Sequence, residues 1–232
     1  MSRRVPEFAL LIGVVLGLTA VVFGLLFGLR LLDVVVLAAV GAYPFVAFGL
    51  LRDDDPASVV PPRWILVVGV LWAFLGVVGV LAADPSPSAL VPAAFAGLVL
   101  ALPPAAYAVR HGADVNPLPP RATLGVGVVA GVGLLALGLV TVQPVLGTVS
   151  AVLLSVAAGL YATARGVRLA ERTRRAAVAA GALLGVAVVA VGVVRGADLT
   201  NWVLAGIAVA FEPSLYVVLS RNRSRGRRRR TR

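Results

Sequence analysis

Within the apolar run VAFEPSLYVVL, residues 209–219, one carboxyl, Glu212, stands beside Pro213. If this run crosses a membrane, Glu212 lies 13 residues from the outer end at Leu199 and 7 from Leu219, well inside the hydrocarbon. An acidic group at such depth costs about 2.5–3.5 kcal/mol on insertion scales, and intramembrane ionisable groups tend to mark proton or ion paths. The protonated carboxyl is the cheaper form to bury there. Tyr216 is one turn away on the same helix face. Thr148, Ser155, Tyr161 and Thr163 supply further hydroxyls from one other apolar run, and they reach Glu212 only if the two helices pack together. Two roles stay open: a proton or cation relay, or a neutral carboxyl bonded to a hydroxyl or to the carbonyl that Pro213 frees.

No other constellation competes with this one. The sequence lacks an HExxH pair, a phosphate-binding P-loop and a serine nucleophile elbow. With no cysteine there is no thiolate metal site and no thiol nucleophile. His111, the lone histidine, sits near Asp114 in a polar loop and reads as solvated surface. The acidic cluster RDDD at 52–55 has no further ligands near it in sequence and reads as a polar cap. Neither a cofactor nor a metal is expected, and no enzyme class is supported.

The elements that must position Glu212 follow from composition. Hydrophobic residues make up 60% of the 232 and charged residues 13%, against about 45–50% and about 25% in soluble domains. Mean hydropathy is +1.00. Such a chain cannot cover a water-facing globule, so the expected class is all-α, a polytopic membrane helix bundle. Long apolar runs occupy 8–51, 64–109, 122–164 and 174–219. Each is about twice the roughly 20 residues that a helix needs to cross a bilayer. The 43 residues between Arg121 and Arg165 carry no charge, and as one helix they would reach about 65 Å, so the chain must turn. Turn chemistry stands near each midpoint, in GLRLLD, AADPSPS, VQPV and RGAD. Eight spans result, as four hairpins: 8–29, 31–51, 64–83, 88–109, 122–142, 145–164, 176–194 and 199–219.

Arginine supplies the orientation. All 21 basic residues are Arg, and 19 of them fall on one side of this hairpin arrangement, leaving only Arg30 and Arg195 on the other. Basic short loops stay cytoplasmic, which predicts both termini inside. Asp33 is expected to pair locally with Arg30 at the outer interface. The first apolar stretch is too long for an ordinary signal core and lacks a small-residue cleavage site, so it reads as a permanent helix. The Arg, Ala, Val and Gly bias suits a GC-rich genome, and the expected location is a prokaryotic plasma membrane. Residues 220–232 read as a disordered cytoplasmic tail. Its Arg221, Arg223, Arg225, Arg227, Arg228, Arg229, Arg230 and Arg232 are expected to contact anionic lipid head groups, at about 1 kcal/mol per charge. Nucleic acid is not an expected partner, because the tail has no aromatic for base stacking. Another membrane protein, or a second copy, remains open as a partner.

The hairpins recur with a period of about 56 residues. Three even-numbered spans end in Pro, an aromatic and Arg: YPFVAFGLLR at 43–52, LPPAAYAVR at 102–110 and EPSLYVVLSR at 212–221. Either four copies of one hairpin or the ordinary anchoring of short-looped hairpins accounts for this. Odd spans carry small residues four apart, Gly13/Gly17, Gly24/Gly28, Gly69/Ala73, Gly127/Gly131 and Gly181/Gly185, which are expected to be packing surface. Even spans carry Pro44, Pro92, Pro103, Pro104 and Pro213, which are expected to kink them and line an interior. The leading expectation is a small transporter, permease or channel-like protein using Glu212. A non-transporting scaffold or subunit of a membrane complex is the alternative. Labelling or protease mapping from the two membrane faces should find the 165–175 stretch and the C-terminus on the same, cytoplasmic, side.

Overall fold

The structure is a computed structural model, and it describes residues 4–29, 31–52, 61–111, 116–196 and 198–230. Side-chain positions in the last helix are described as far as Tyr216. Within these residues the regular structure is helical throughout: α1 (Arg4–Leu26), α2 (Leu31–Arg52), α3 (Pro62–Ala83), α4 (Leu90–Arg110), α5 (Pro120–Val140), α6 (Pro144–Ala164), α7 (Glu171–Val194) and α8 (Leu199–Arg230), with a 3₁₀ turn at Pro87–Ala89 before α4. These helices overlie the eight expected segments. Five of them, α3 to α7, are long and apolar enough to cross a membrane. Large apolar side chains such as Phe74, Val129 and Leu183 stand more than 60% exposed. That exterior fits a membrane-embedded helix bundle, because soluble monomers rarely expose apolar patches of such extent.

Two helices outrun their expected ends by five residues or more. The seventh begins at Glu171 rather than 176, and an exposed Glu171–Arg175 pair, 3.3 Å apart, spans its first turn. α8 continues past Leu219 into the stretch that the sequence treats as a tail. Arg is a good helix former, and no proline interrupts the run. The side chains of the eight tail arginines lie outside the described residues, as do Arg30, Asp53 to Asp55 and Asp114.

The chain divides into two compact units, Met1–Ala89 with Ala96–Asp114, and Leu90–Phe95 with Val115–Arg232. In the first unit α1 and α2 form a closely packed hairpin, Gly13 and Gly17 lying against Ala42 and Phe45. Pro104 of α4 packs on Gly69 of α3, and Gly97 faces Val77. Of the five expected small-residue pairs, Gly24/Gly28 is the one that divides. Gly24 packs on Val34, but a side chain at Gly28 would meet none of the described residues, and Gly28 instead turns the chain at φ +69°.

In the second unit α5 packs on α6 and α7 on α8, and the two hairpins join through α6 against α8. The order is therefore α5, α6, α8, α7, with the even helices inside. Glycine sets the spacing within each hairpin. A methyl at Gly138 would stand 2.6 Å from the Gly147 Cα, and Gly206 would carry one 2.6 Å from the Gly185 carbonyl oxygen. All four helices contribute to one buried cluster of Leu135, Ala151, Val188, Trp202, Ala205 and Val209. Pro92 does not kink α4. It lies in the first turn, where a missing N–H costs no intrahelical bond.

The turns show how the helices end. At Gly28 and Gly166 the next residue's N–H reaches back five residues, Leu29 to Gly24 at 2.9 Å and Val167 to Ala162 at 2.9 Å, in the Schellman pattern that favours glycine in the left-handed region. The α5–α6 turn makes the same bond, Gln143 to Gly138 at 2.7 Å, with Val142 at the left-handed position, φ 58°. A β-branched residue there carries a steric penalty, of about 1–2 kcal/mol for the left-handed conformation. Val142 is largely exposed, so little packing offsets that penalty. Val142→Gly is therefore expected to raise the thermal midpoint of the purified protein, by a stabilisation of about 1 kcal/mol.

Candidate functional site

Glu212 lies on the face of α8 that meets α6. The two helices run parallel, since Ser155 meets Glu212 and Gly159 meets Tyr216, both at a separation of 57 residues. The Ser155 side chain faces the Glu212 carboxyl, near enough for a hydrogen bond to form between them. The Ser155 Oγ also lies against Gly131 of α5, which has no side chain to displace it.

One turn further along, the Tyr216 ring packs on Gly159 and its hydroxyl lies 2.9 Å from Thr163 Oγ1. The Thr163 hydroxyl also lies 2.9 Å from the Gly159 carbonyl oxygen, to which it donates. Its single proton is thereby used, so Tyr216 donates to Thr163. Tyr216 is therefore tied to α6 and not to Glu212, although the helix spacing alone would allow the latter. Seven residues before Ser155 on the same face, Thr148 is completely buried, and its hydroxyl has no partner among the described residues. The stripe Thr148, Ser155, Glu212, Tyr216 and Thr163 runs along one seam, and 15 residues of α6 separate its ends, about 22 Å of helix.

Tyr161 is not part of this seam. Six residues from Ser155, it points about 240° around the helix, and Arg165 lies over its ring, 5.6 Å from the centroid. That arrangement suits anchoring at a membrane interface. His111 ends α4 with its ring 4.5 Å from that of Tyr107.

Beside the seam is an open groove of about 520 Å³. Val149, Val152 and Leu153 line it from α6, and Ala208, Phe211 and Leu215 from α8. Glu212 and Ser214 are its polar members. Glu212 is only partly buried, so its carboxyl both meets Ser155 and borders the groove. The sequence has no Arg between Arg121 and Arg165 or between Arg175 and Arg195. No fixed cation of α5, α6 or α7 therefore stands at the depth of Glu212.

Two functional details escaped the sequence. Arg195, one of the two arginines expected on the outer side, donates to the Leu139 carbonyl at 2.7 Å and lies over the Trp202 ring, 5.9 Å from its centroid. It caps the C-terminal end of α5, where carbonyls lack intrahelical partners and a cation is favoured. The second detail is in the first unit, where Tyr43 of α2 donates to the Leu100 carbonyl at 3.0 Å. Leu100 is four residues before Pro104, so this is a carbonyl that the proline deprives of its helical donor. The separation of 57 residues is the same as between Ser155 and Glu212. Comparison with protein-family models, with curated proteins and with solved structures gives no match.

Removing the Tyr43 hydroxyl should expose the cost of that freed carbonyl. Tyr43→Phe is expected to destabilise the protein by about 1–3 kcal/mol, the range for a buried polar group left unpaired. In a Pro104→Ala background, where the restored backbone N–H can bond the Leu100 carbonyl, the same change should cost close to nothing. Unfolding measurements across this double-mutant cycle check the coupling.

Proposed function

We propose that this chain is a small multi-pass permease of a prokaryotic cell membrane, crossing it eight times with both termini in the cytoplasm. In this reading Glu212 is the group that takes up and releases a proton or cation during transport. The observation that carries it is the Glu212–Ser155 pair at the edge of the groove. A carboxyl at this position with no fixed counter-cation at its depth must be neutralised by something that can come and go. The serine hydroxyl gives the carboxylate a donor once the proton has left. Thr148, buried and unpartnered on the same face, supports an extension of the path toward the outer end. The hairpins are read as copies of one ancestral unit, supported by the shared 57-residue separation of the Tyr43–Leu100 and Ser155–Glu212 contacts. The Arg tail then holds the cytoplasmic face against anionic lipid.

One observation favours a second reading, a non-transporting subunit. The groove is almost wholly apolar and open, as a seat for a helix of another membrane protein would be.

Reconstitution into vesicles carrying an internal pH dye separates the two. The wild-type chain is expected to dissipate an imposed pH gradient or to couple it to solute movement, and Glu212→Gln to lose that activity by at least tenfold. Unchanged flux in Glu212→Gln would exclude Glu212 as the relay.

A further inference from the structure

We propose that the groove between α6 and α8 binds a lipophilic organic cation, whose charged centre takes the place of the proton on Glu212. This rests on the reading of Glu212 as an exchangeable site and names the class of ligand that exchanges there. Three observations lead to it. The volume, about 520 Å³, lies within the roughly 300–1,000 Å³ of small-molecule sites. The walls are hydrocarbon from both helices, with the Phe211 ring 67% exposed beside Glu212, so a ligand body must be apolar. The charge that the site asks for is a single positive one, because Glu212 is the only ionisable residue of the lining.

The exchange balances. The O–H bond of the neutral Glu212 carboxyl breaks and its proton passes to water. The carboxylate then pairs with the arriving cation, with Ser155 donating to it and the Phe211 ring offering its face. The groove is electrically neutral before and after, so no uncompensated charge is left in a low-dielectric site. An anionic ligand would meet like charge or require a second proton. A neutral one would at most hydrogen-bond the carboxyl and would displace no proton from it. Few other groups bear on the titration of Glu212. From α6 it is faced by Ser155. The 176–194 stretch of α7, which packs at Gly181 and Gly185, carries no ionisable side chain. On its own helix Tyr216 is engaged with Thr163.

The test uses the full chain in lipid nanodiscs with tetraphenylphosphonium, a permanent cation without hydrogen-bond donors. Calorimetry in two buffers of different ionisation enthalpy is expected to show one proton released per cation bound. The affinity should tighten by up to tenfold per pH unit while the carboxyl holds its proton in the free state. Glu212→Gln should abolish the proton release and weaken binding at least tenfold. Ala208→Phe, which fills the groove and leaves Glu212 in place, should also remove binding, and it decides the matter if Glu212→Gln does not fold. Absence of binding, binding without proton release, or binding that survives both substitutions overturns the proposal. Dimerisation that Ala208→Phe abolishes, with no cation bound, overturns it too, by making a second copy the occupant. Flux that depends on Glu212 without cation binding would sink this proposal and leave the permease reading standing. Cation binding with proton release but no flux would uphold this proposal and sink that reading.

Discussion

A helix in hydrocarbon must find a partner for every backbone polar group inside the protein, and the junctions between helices here answer to that demand. Pro104 removes one donor, and the phenol of Tyr43 replaces it at Leu100. Pro213 removes another, and the carbonyl it frees, that of Val209, faces Gly181 of α7, where the missing side chain lets the neighbouring backbone close over it. The C-terminal end of α5 is met by the Arg195 guanidinium. The same prolines and glycines that break the helical pattern thus decide which helices touch and where. Packing between these helices cannot draw on a hydrophobic driving force in lipid, so close backbone approach at pairs such as Gly138/Gly147 carries much of the association.

The two even-helix junctions differ in chemistry. In the first unit a neutral phenol satisfies a carbonyl, and the bond has no reason to open. In the second the contact of the same 57-residue separation sets a hydroxyl beside a carboxyl. A carboxyl can exist in two charge states, and the protein supplies for it one hydroxyl and one apolar groove. A purely structural role would be served by a neutral residue at position 212 at lower cost, since the acidic side chain costs about 2.5–3.5 kcal/mol to insert. A site that binds and releases a charge would carry such a cost.

Much of the fold was legible because its signal is local. Eight apolar segments, their turns and their helical state follow from run length, Gly and Pro, and the helices overlie those segments closely. Glu212 was legible for the same reason, as one carboxyl in an apolar run. What sequence could not supply was the pairing of side chains across helices. Tyr216 was a candidate partner by helix spacing, and Ser155 one only if the two helices packed together. Only the parallel register of α6 and α8 assigns Ser155 to the carboxyl and Tyr216 to Thr163. Tyr161 was set aside by the same register, being on another face of α6. The left-handed Val142 was hidden because residue type argues against it, and the Schellman bond from Gln143 to Gly138 overrides that preference. The groove was hidden because it is a gap between residues about 60 apart in sequence.

The apolar lining also bears on mechanism. An aqueous ion path needs a succession of polar groups to replace hydration, as in filters built from carbonyls or rings of charge. The seam offers hydroxyls at Thr148, Ser155 and Thr163, yet the groove beside Glu212 offers almost none. Small hydrated ions therefore gain little there. A proton, passed between hydroxyl and carboxyl, needs no hydration shell, and neither does an organic cation whose charge is shielded by its own hydrocarbon. Both species suit a lone carboxyl in oil, and they exclude one another at it, because each neutralises the same single charge. Mutual exclusion at one residue is sufficient to couple two opposed movements, provided that the carboxyl is never left bare and ionised. The cost of that bare state is set by burial, so the scarcity of polar groups in the groove is itself what would make such coupling tight.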